Sequence, residues 1–168
     1  MIGEERQRTG VRHLPKHLRP RWRYLGVGIE TWPEETLARD EFQRSLWYAA
    51  QNLLGDPGSA ALELSVLRFR HGAGTGQAVV RTRRGEVDRS RAVLACIDRI
   101  EGVPVGLRVR GVSGTVRGCE EKYMRARPEP SERRDVAFEN ATRSAHVRGD
   151  RVDVRVDDRF VGATTLDT

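Results

Sequence analysis

Residues 60–83 read AALELSVLRFRHGAGTGQAVVRTR, and this stretch decides the fold. Two apolar runs, 60–70 and 77–83, flank the connection His71-Gly72-Ala73-Gly74-Thr75-Gly76. Apolar runs bounded by glycine read as strands, and so short a link pairs them as a hairpin. A phosphate-cradling loop would need a helix N-terminus after it. A strand follows here, so the glycines serve a turn.

Upstream, residues 22–30 (WRYLGVGIE) set Leu25, Val27 and Ile29 against Tyr24, Gly26, Gly28 and Glu30, the period of a strand. Thr31-Trp32-Pro33-Glu34 has the spacing of a capping box with proline in the first turn. The sequence therefore predicts a helix from here to about Leu54, with Phe42, Leu46, Ala49, Ala50 and Leu53 as its apolar stripe, stopped by Gly55-Asp56-Pro57-Gly58. Downstream, Val93, Cys96, Ile97 and Ile100 define one face of a second helix over 87–101. A fourth strand over 103–112 places Val103, Val105, Leu107 and Val109 on one face and Arg108 and Arg110 on the other. Ser113-Gly114-Thr115 opens a third helix over 116–125.

The order strand, helix, strand, strand, helix, strand is the α+β pattern of ferredoxin-like and RNA-recognition-type domains. Two helices cover one face of a four-stranded antiparallel sheet, and the third helix is expected beyond it. Residues 1–21 form a basic arm, discouraged from helix by Pro15 and Pro20. Residues 22–125 form the domain. Residues 126–168 form a charged extension with a linker-like start at Arg127-Pro128-Glu129-Pro130. Within it, the alternating run Arg151–Asp157 is expected to add one strand to a sheet edge, or to stay disordered with the rest.

The charge points to a partner. Net charge is +6, and of 30 basic residues only Lys16 and Lys122 are lysine. Residues 1–125 hold 22 basic and 15 acidic residues, whereas residues 126–168 hold 8 and 9, so the positive charge belongs to the domain and its arm. Arginine's planar fork matches phosphate oxygens, and a basic, arginine-heavy domain fits a polyanion. The slightly acidic extension fits a solubilising or peripheral role. No apolar run is long enough to span a membrane and no signal-like segment opens the chain, so a cytoplasmic protein is expected.

Catalytic chemistry finds little support. Cys96 and Cys119 fall at apolar helix positions and read as buried thiols. The four histidines do not cluster with them, so no metal site is expected. Glu34/Glu35 and Glu120/Glu121 read as solvated helix surface, and no nucleophile elbow occurs. A small phosphate hydrolase on this fold would need an arginine in a glycine-rich loop after the first strand, where Glu30-Thr31-Trp32-Pro33 stands instead. Binding is better served. The third strand carries no aromatic and the first only Trp22 and Tyr24, so base stacking on the sheet is not expected. Arg81 and Arg83 share one face of the third strand, and Arg108 and Arg110 one face of the fourth, suited to phosphate contact or to a solvated face. Gly111-Val-Ser-Gly-Thr-Val-Arg117 reads equally as a phosphate seat at a helix start and as plain N-capping. Trp47, Tyr48, Leu53 and Leu54 lie on more than one face of the first helix, as a fuller core or a protein interface.

Two segments carry a resemblance. His13-Leu-Pro-Lys-His-Leu-Arg-Pro-Arg-Trp-Arg-Tyr-Leu25 and Gly111–Arg117, at this separation and with this element order between them, resemble the archaeal ribonuclease P protein component 2 family over about residues 12–125. The resemblance implies a subunit of the ribonucleoprotein that removes the 5′ leader of precursor tRNA. It implies that the RNA component performs the catalysis with magnesium ions, while this chain binds no cofactor. Its implied partners are ribonuclease P RNA, protein component 3 in a heterotetramer, and the other ribonuclease P proteins. The matched residues expected at RNA are Arg12, Lys16, Arg19, Arg21, Arg23, Ser113, Thr115 and Arg117. The alternatives are a free-standing RNA-binding or ribosome-associated protein and, despite the missing loop arginine, a small ferredoxin-like phosphate hydrolase. The extension after residue 126 is longer than the family core.

Overall fold

A computed structural model describes residues 14–125 and 131–168. The first sheet is built from β1 (Trp22–Glu30), β2 (Ser65–Gly72), β3 (Thr75–Arg83) and β6 (Gly106–Ser113), in the order β2-β3-β1-β6. All three pairings are antiparallel, and β1 runs opposite β3 from Trp22–Arg83 to Glu30–Thr75. This is the expected split βαβ arrangement. The turn role of 71–76 holds as well, with Ala73 and Gly74 both at positive φ at its tip. Positive φ at both central residues matches the twist of the flanking strands.

Helices α1 (Arg39–Leu62) and α2 (Val87–Ala95) cover one face of this sheet. Leu25, Val27 and Ile29 of β1 meet Phe42, Leu46 and Ala50 of α1, Val93 and Leu94 of α2, and Val66, Ala78 and Val80 of the neighbouring strands. Each of the larger side chains among these contributes roughly 1.5–3 kcal/mol by leaving water, and the alanines less.

Several boundaries differ from the sequence reading. Helix α1 begins at Arg39 rather than near Thr31, because Thr31 and Trp32 are both buried in a contact described below. The Thr31 hydroxyl donates to the carbonyl of Trp32 and is therefore not a cap. The capping bond lies seven residues later, where the Glu41 carboxylate accepts from the Ala38 N–H at 2.7 Å. Gly55 (φ 69°) interrupts the helix at the predicted stop, but a further turn continues to the buried Leu62. β2 therefore starts at Ser65, not residue 60.

Helix α2 stops at Ala95, six residues short of the predicted end. Ile97 and Ile100 are buried as expected, but Ile100 sits in β4 (Arg99–Ile100), which pairs with β5 (Val103–Pro104) around Glu101 and Gly102, both at positive φ. Cys96 is exposed, so only Cys119 fits the reading of a buried thiol.

The third helical segment is not beyond the sheet. It consists of α3 (Val116–Cys119) and a π-helical turn over Glu120–Met124, and it lies on the face that α1 and α2 leave open. Cys119, Tyr123 and Met124 pack there on Tyr24 and Val79. Glycines make the room: a Cβ on Gly26 would fall 2.6 Å from Tyr123, and one on Gly111 would run into its phenol.

The extension departs furthest from expectation. In place of a disordered tail or one added strand, it forms a second antiparallel sheet of β7 (Glu132–Phe138), β8 (Ala141–Arg148), β9 (Arg151–Val156) and β10 (Arg159–Thr164), in simple meander order. Ala145, Val152 and Val154 are its buried centre. The expected linker, residues 126–130, lies outside the described residues.

The two sheets are joined by charge as much as by apolar contact. Arg148, 3 % exposed, donates to the carbonyls of Thr31 (3.2 Å) and Gly74 (3.4 Å) and pairs with Asp153. Arg151 pairs with Glu30 at 2.8 Å and Arg155 with Glu34 at 3.0 Å. Trp32 fits between His146 (4.7 Å, edge-on) and Phe160 (5.1 Å).

Candidate RNA interface

Apart from Arg108 and Arg110, the described residues expected at RNA fall at the end of the first sheet where β1 begins and β3 and β6 end. Register dictates this: Trp22 stands opposite Arg83, and Tyr24 opposite both Arg81 and Ser113. Trp22, Arg81 and Arg83 form one unit, with the two guanidiniums 4.1 and 4.6 Å from the indole centroid. Cation–π contact of this kind aligns arginines that would otherwise be mobile. Arg83 also pairs with Glu63 at 2.6 Å, and Arg81 donates to the Ser65 hydroxyl at 3.4 Å.

The approach to β1 continues the basic surface. Lys16, Arg19 and Arg21 are exposed, with a Leu18 N–H to Pro15 carbonyl turn at 2.8 Å and the Arg19 guanidinium on the Leu14 carbonyl at 2.9 Å. Arg23 is half-buried and donates to the Trp22 carbonyl. Arg12 lies outside the described residues.

Gly111–Arg117 resolves as a cap. The Thr115 hydroxyl accepts from the Gly118 N–H at 3.0 Å, and Ser113 Oγ accepts from the Thr115 N–H at 3.4 Å. Four residues of α-helix follow, so the segment offers no extended helix terminus. Arg117 projects into solvent, 87 % exposed, beside Glu121 at 2.9 Å.

Arg108 and Arg110 do share the outer face, but across the sheet from Arg81 and Arg83 and with α3 between the pairs. A register shift leaves Arg110 without a partner in β1, and its guanidinium lies over Gly28, 2.9 Å from where a Cβ would stand. The site is thus an arginine rim around a covered sheet face. Tyr24, the aromatic nearest the sheet centre, is packed under α3 and its π-turn. That fits the expectation that bases do not stack here.

The sequence reading missed Arg68, Arg70 and Arg125. All three line a cleft of about 600 Å³ between the edge strand β2 and α3 with its π-turn. The alternation of Arg68 and Arg70 around Phe69 was the available signal.

The Cys119 thiol is pushed up to about 11 by burial, with Glu120 adding to the effect, so it stays protonated. Among the described residues, no group of three His, Cys, Asp or Glu could hold a metal ion. The loop directly after β1, where a phosphate hydrolase of this topology would hold its arginine, is filled by Trp32 and covered by the second sheet. Among the described residues, no helix is long and apolar enough to cross a membrane.

Fold and rim together define an α+β domain of the RNA-recognition type, basic at its edges and closed over its central face. Residues 23–124 match the model of the Rpp14/Pop5 family, and the chain belongs to that family. It is 60 % identical to Ribonuclease P protein component 2 of Haloarcula marismortui, over 94 % of this chain and 99 % of that one. It is 61 % identical to the protein of the same name from Natronomonas pharaonis, over 94 % and 98 %. The Methanosarcina mazei protein of that name is 33 % identical over 68 % of this chain but 93 % of its own. Relatives of the first kind match almost the whole chain, whereas the third leaves about a third of it unmatched.

Proposed function

We propose that the chain is a protein subunit of ribonuclease P, the endoribonuclease that removes the 5′ leader from precursor tRNA in the cytoplasm, and that it supports a catalytic RNA rather than performing the chemistry. Near-full-length likeness to proteins named ribonuclease P protein component 2 carries this reading. The surface is consistent with it. Arginines held by Trp22, Ser65 and Glu63 stand ready for phosphate.

In this reading Arg12, Lys16, Arg19, Arg21, Arg23, Arg81, Arg83, Arg108, Arg110 and Arg117 neutralise RNA phosphates, and Ser113 and Thr115 fix the backbone between them. Neutralisation releases condensed counterions and lets RNA helices pack. In this reading the RNA component would hold the magnesium ions that cleavage uses, and this chain would bind no cofactor. Its partners are ribonuclease P RNA, protein component 3 in a heterotetramer, and the remaining ribonuclease P proteins.

The test is cleavage by parts. Purified chain with precursor tRNA should release no leader. The same chain added to the cognate RNA component and its protein partner should support cleavage. Leader release by the chain alone would overturn the reading.

A further inference from the structure

The cleft between β2 and the α3 segment belongs to none of the surfaces assigned above except through Arg117. Four guanidiniums line it, from Arg68, Arg70, Arg117 and Arg125, against two carboxylates, from Glu120 and Glu121. Its volume of about 600 Å³ is within the ordinary range for a ligand site. Each arginine is tethered in a way that leaves donors over. Arg68 uses Nε on Glu120 at 2.6 Å. Arg70 uses Nη2 on Gln77 at 3.0 Å and on the Met124 carbonyl. Arg117 uses Nε on Glu121 at 2.9 Å, and Arg125 stands 3.8 Å from the same carboxylate. A guanidinium carries five N–H donors, so these anchors orient the forks without consuming them.

Resting on the proposal that the partner is RNA, we infer that this cleft is a seat for the RNA sugar–phosphate backbone, with Arg68 and Arg125 as its exposed phosphate contacts and Glu120 as a built-in competitor. The chemistry favours phosphodiester over base. The walls are guanidiniums and carboxylates, and no ring faces the cleft except Phe69, which is packed against Phe42 and the core. Tethered, coplanar donors match phosphate oxygens in a bidentate manner. The Arg68–Glu120 pair is solvent-accessible, with side chains 55 % and 35 % exposed, so an incoming phosphate can replace the carboxylate at small cost.

The position matters too. β2 is the edge of the sheet, and β3 beside it carries Arg81 and Arg83 on the same outer face. The cleft therefore extends the Trp22 cluster along the sheet edge. A strand of RNA could follow this line without entering the closed central face.

The experiment is equilibrium binding of the full chain to a transcript of the cognate ribonuclease P RNA over a range of salt. Arg68→Gln combined with Arg125→Gln should weaken binding about tenfold and lower the slope of log K against log salt by about two. Glu120→Gln should strengthen binding, whereas Asp135→Asn on the exposed surface of the second sheet should change it less. Thermal unfolding of each variant shows that the fold is kept. Unchanged affinity and slope in the arginine variant, with wild-type binding intact, overturns the cleft but leaves the RNA-supporting role standing. No salt-dependent binding by the wild type removes both. Displacement of the RNA by millimolar inorganic phosphate would make the cleft a small-anion site and overturn the backbone reading.

Discussion

Gly26 and Gly111 are single atoms short of forbidding the structure. Tyr123 lies where their Cβ atoms would be, so Gly111→Ala must push the π-turn off the sheet. Overpacking of this kind costs about 1–3 kcal/mol, read as a lowered urea midpoint with unchanged slope. His71 is a second residue whose state is dictated by its neighbours. Its Nδ1 accepts from the Leu37 N–H at 3.3 Å, and Nε2 meets the Thr31 hydroxyl at 3.0 Å. Burial lowers its pKa from 6.5. His146 is also lowered, first by burial and then by Arg148. Unfolding lets both rings take protons, so their contribution to stability is complete above pH 6.5 and fades as pH falls toward their folded values. Asp153, raised mainly by burial, acts in the opposite sense at lower pH. A pH series of unfolding midpoints should fall below pH 6.5, and the fall should shrink in the double variant His71→Gln, His146→Gln. A profile identical to wild type would refute the role of the two rings. None of these contacts shows in a one-dimensional pattern, because each joins residues far apart in the chain.

At the level of elements, helix α1 does two jobs with two stripes. Phe42, Leu46 and Ala50 fill the core, and Leu46→Ala should cost about 2–5 kcal/mol in chemical unfolding. Arg39, Gln43 and Trp47, one turn apart, instead face the edge of the first sheet. The Arg39 guanidinium donates to the Val66 carbonyl, Gln43 exchanges bonds with Val66 N–H and Leu64 C=O, and the Trp47 indole donates to Leu64 C=O at 3.0 Å. The helix thereby stands in for a missing neighbour strand. The sequence shows Phe42, Leu46 and Ala50 plainly, because their period is helical, but Leu53 of the same expected stripe is exposed. It does not reveal why Trp47 lies off that stripe, since a partly exposed indole anchored by one hydrogen bond looks like an interface residue. The helix start was misread for a related reason: Thr31 and Glu34 have cap spacing, but tertiary contacts of Thr31 and Trp32 outweigh it. Among the RNA candidates, the shared face of Arg81 and Arg83 is legible from the strand period, whereas their contact with Trp22 needs the strand register and Arg68, Arg70 and Arg125 converge only through the packing of α3.

Across the whole molecule, the first domain was readable and the second was not. Residues 22–125 alternate and repeat with clear periods, and their strand order has few solutions. The extension has weak alternation outside 151–157, and its contacts to the first domain run through Arg148, Arg151, Arg155 and the Trp32 ring. Arg148 is the central contact. Arg148→Ala would remove the charged partner of Asp153 and the donor to the buried Thr31 carbonyl, while the Gly74 carbonyl keeps the Thr31 N–H, at a cost of about 3–5 kcal/mol. Its signature should be loss of amide protection in β8 and β9 ahead of β1, seen by hydrogen exchange. Equal protection in both sheets would show that they unfold as one unit. The closed sheet face and the arginine rim both bear on the proposal that this chain assists an RNA catalyst. The direct measurement is the magnesium concentration at which the cognate RNA component half-maximally cleaves precursor tRNA, with and without this chain and its protein partner. A clear fall in that concentration when the proteins are added is the predicted result. An unchanged magnesium requirement at saturating protein would contradict it.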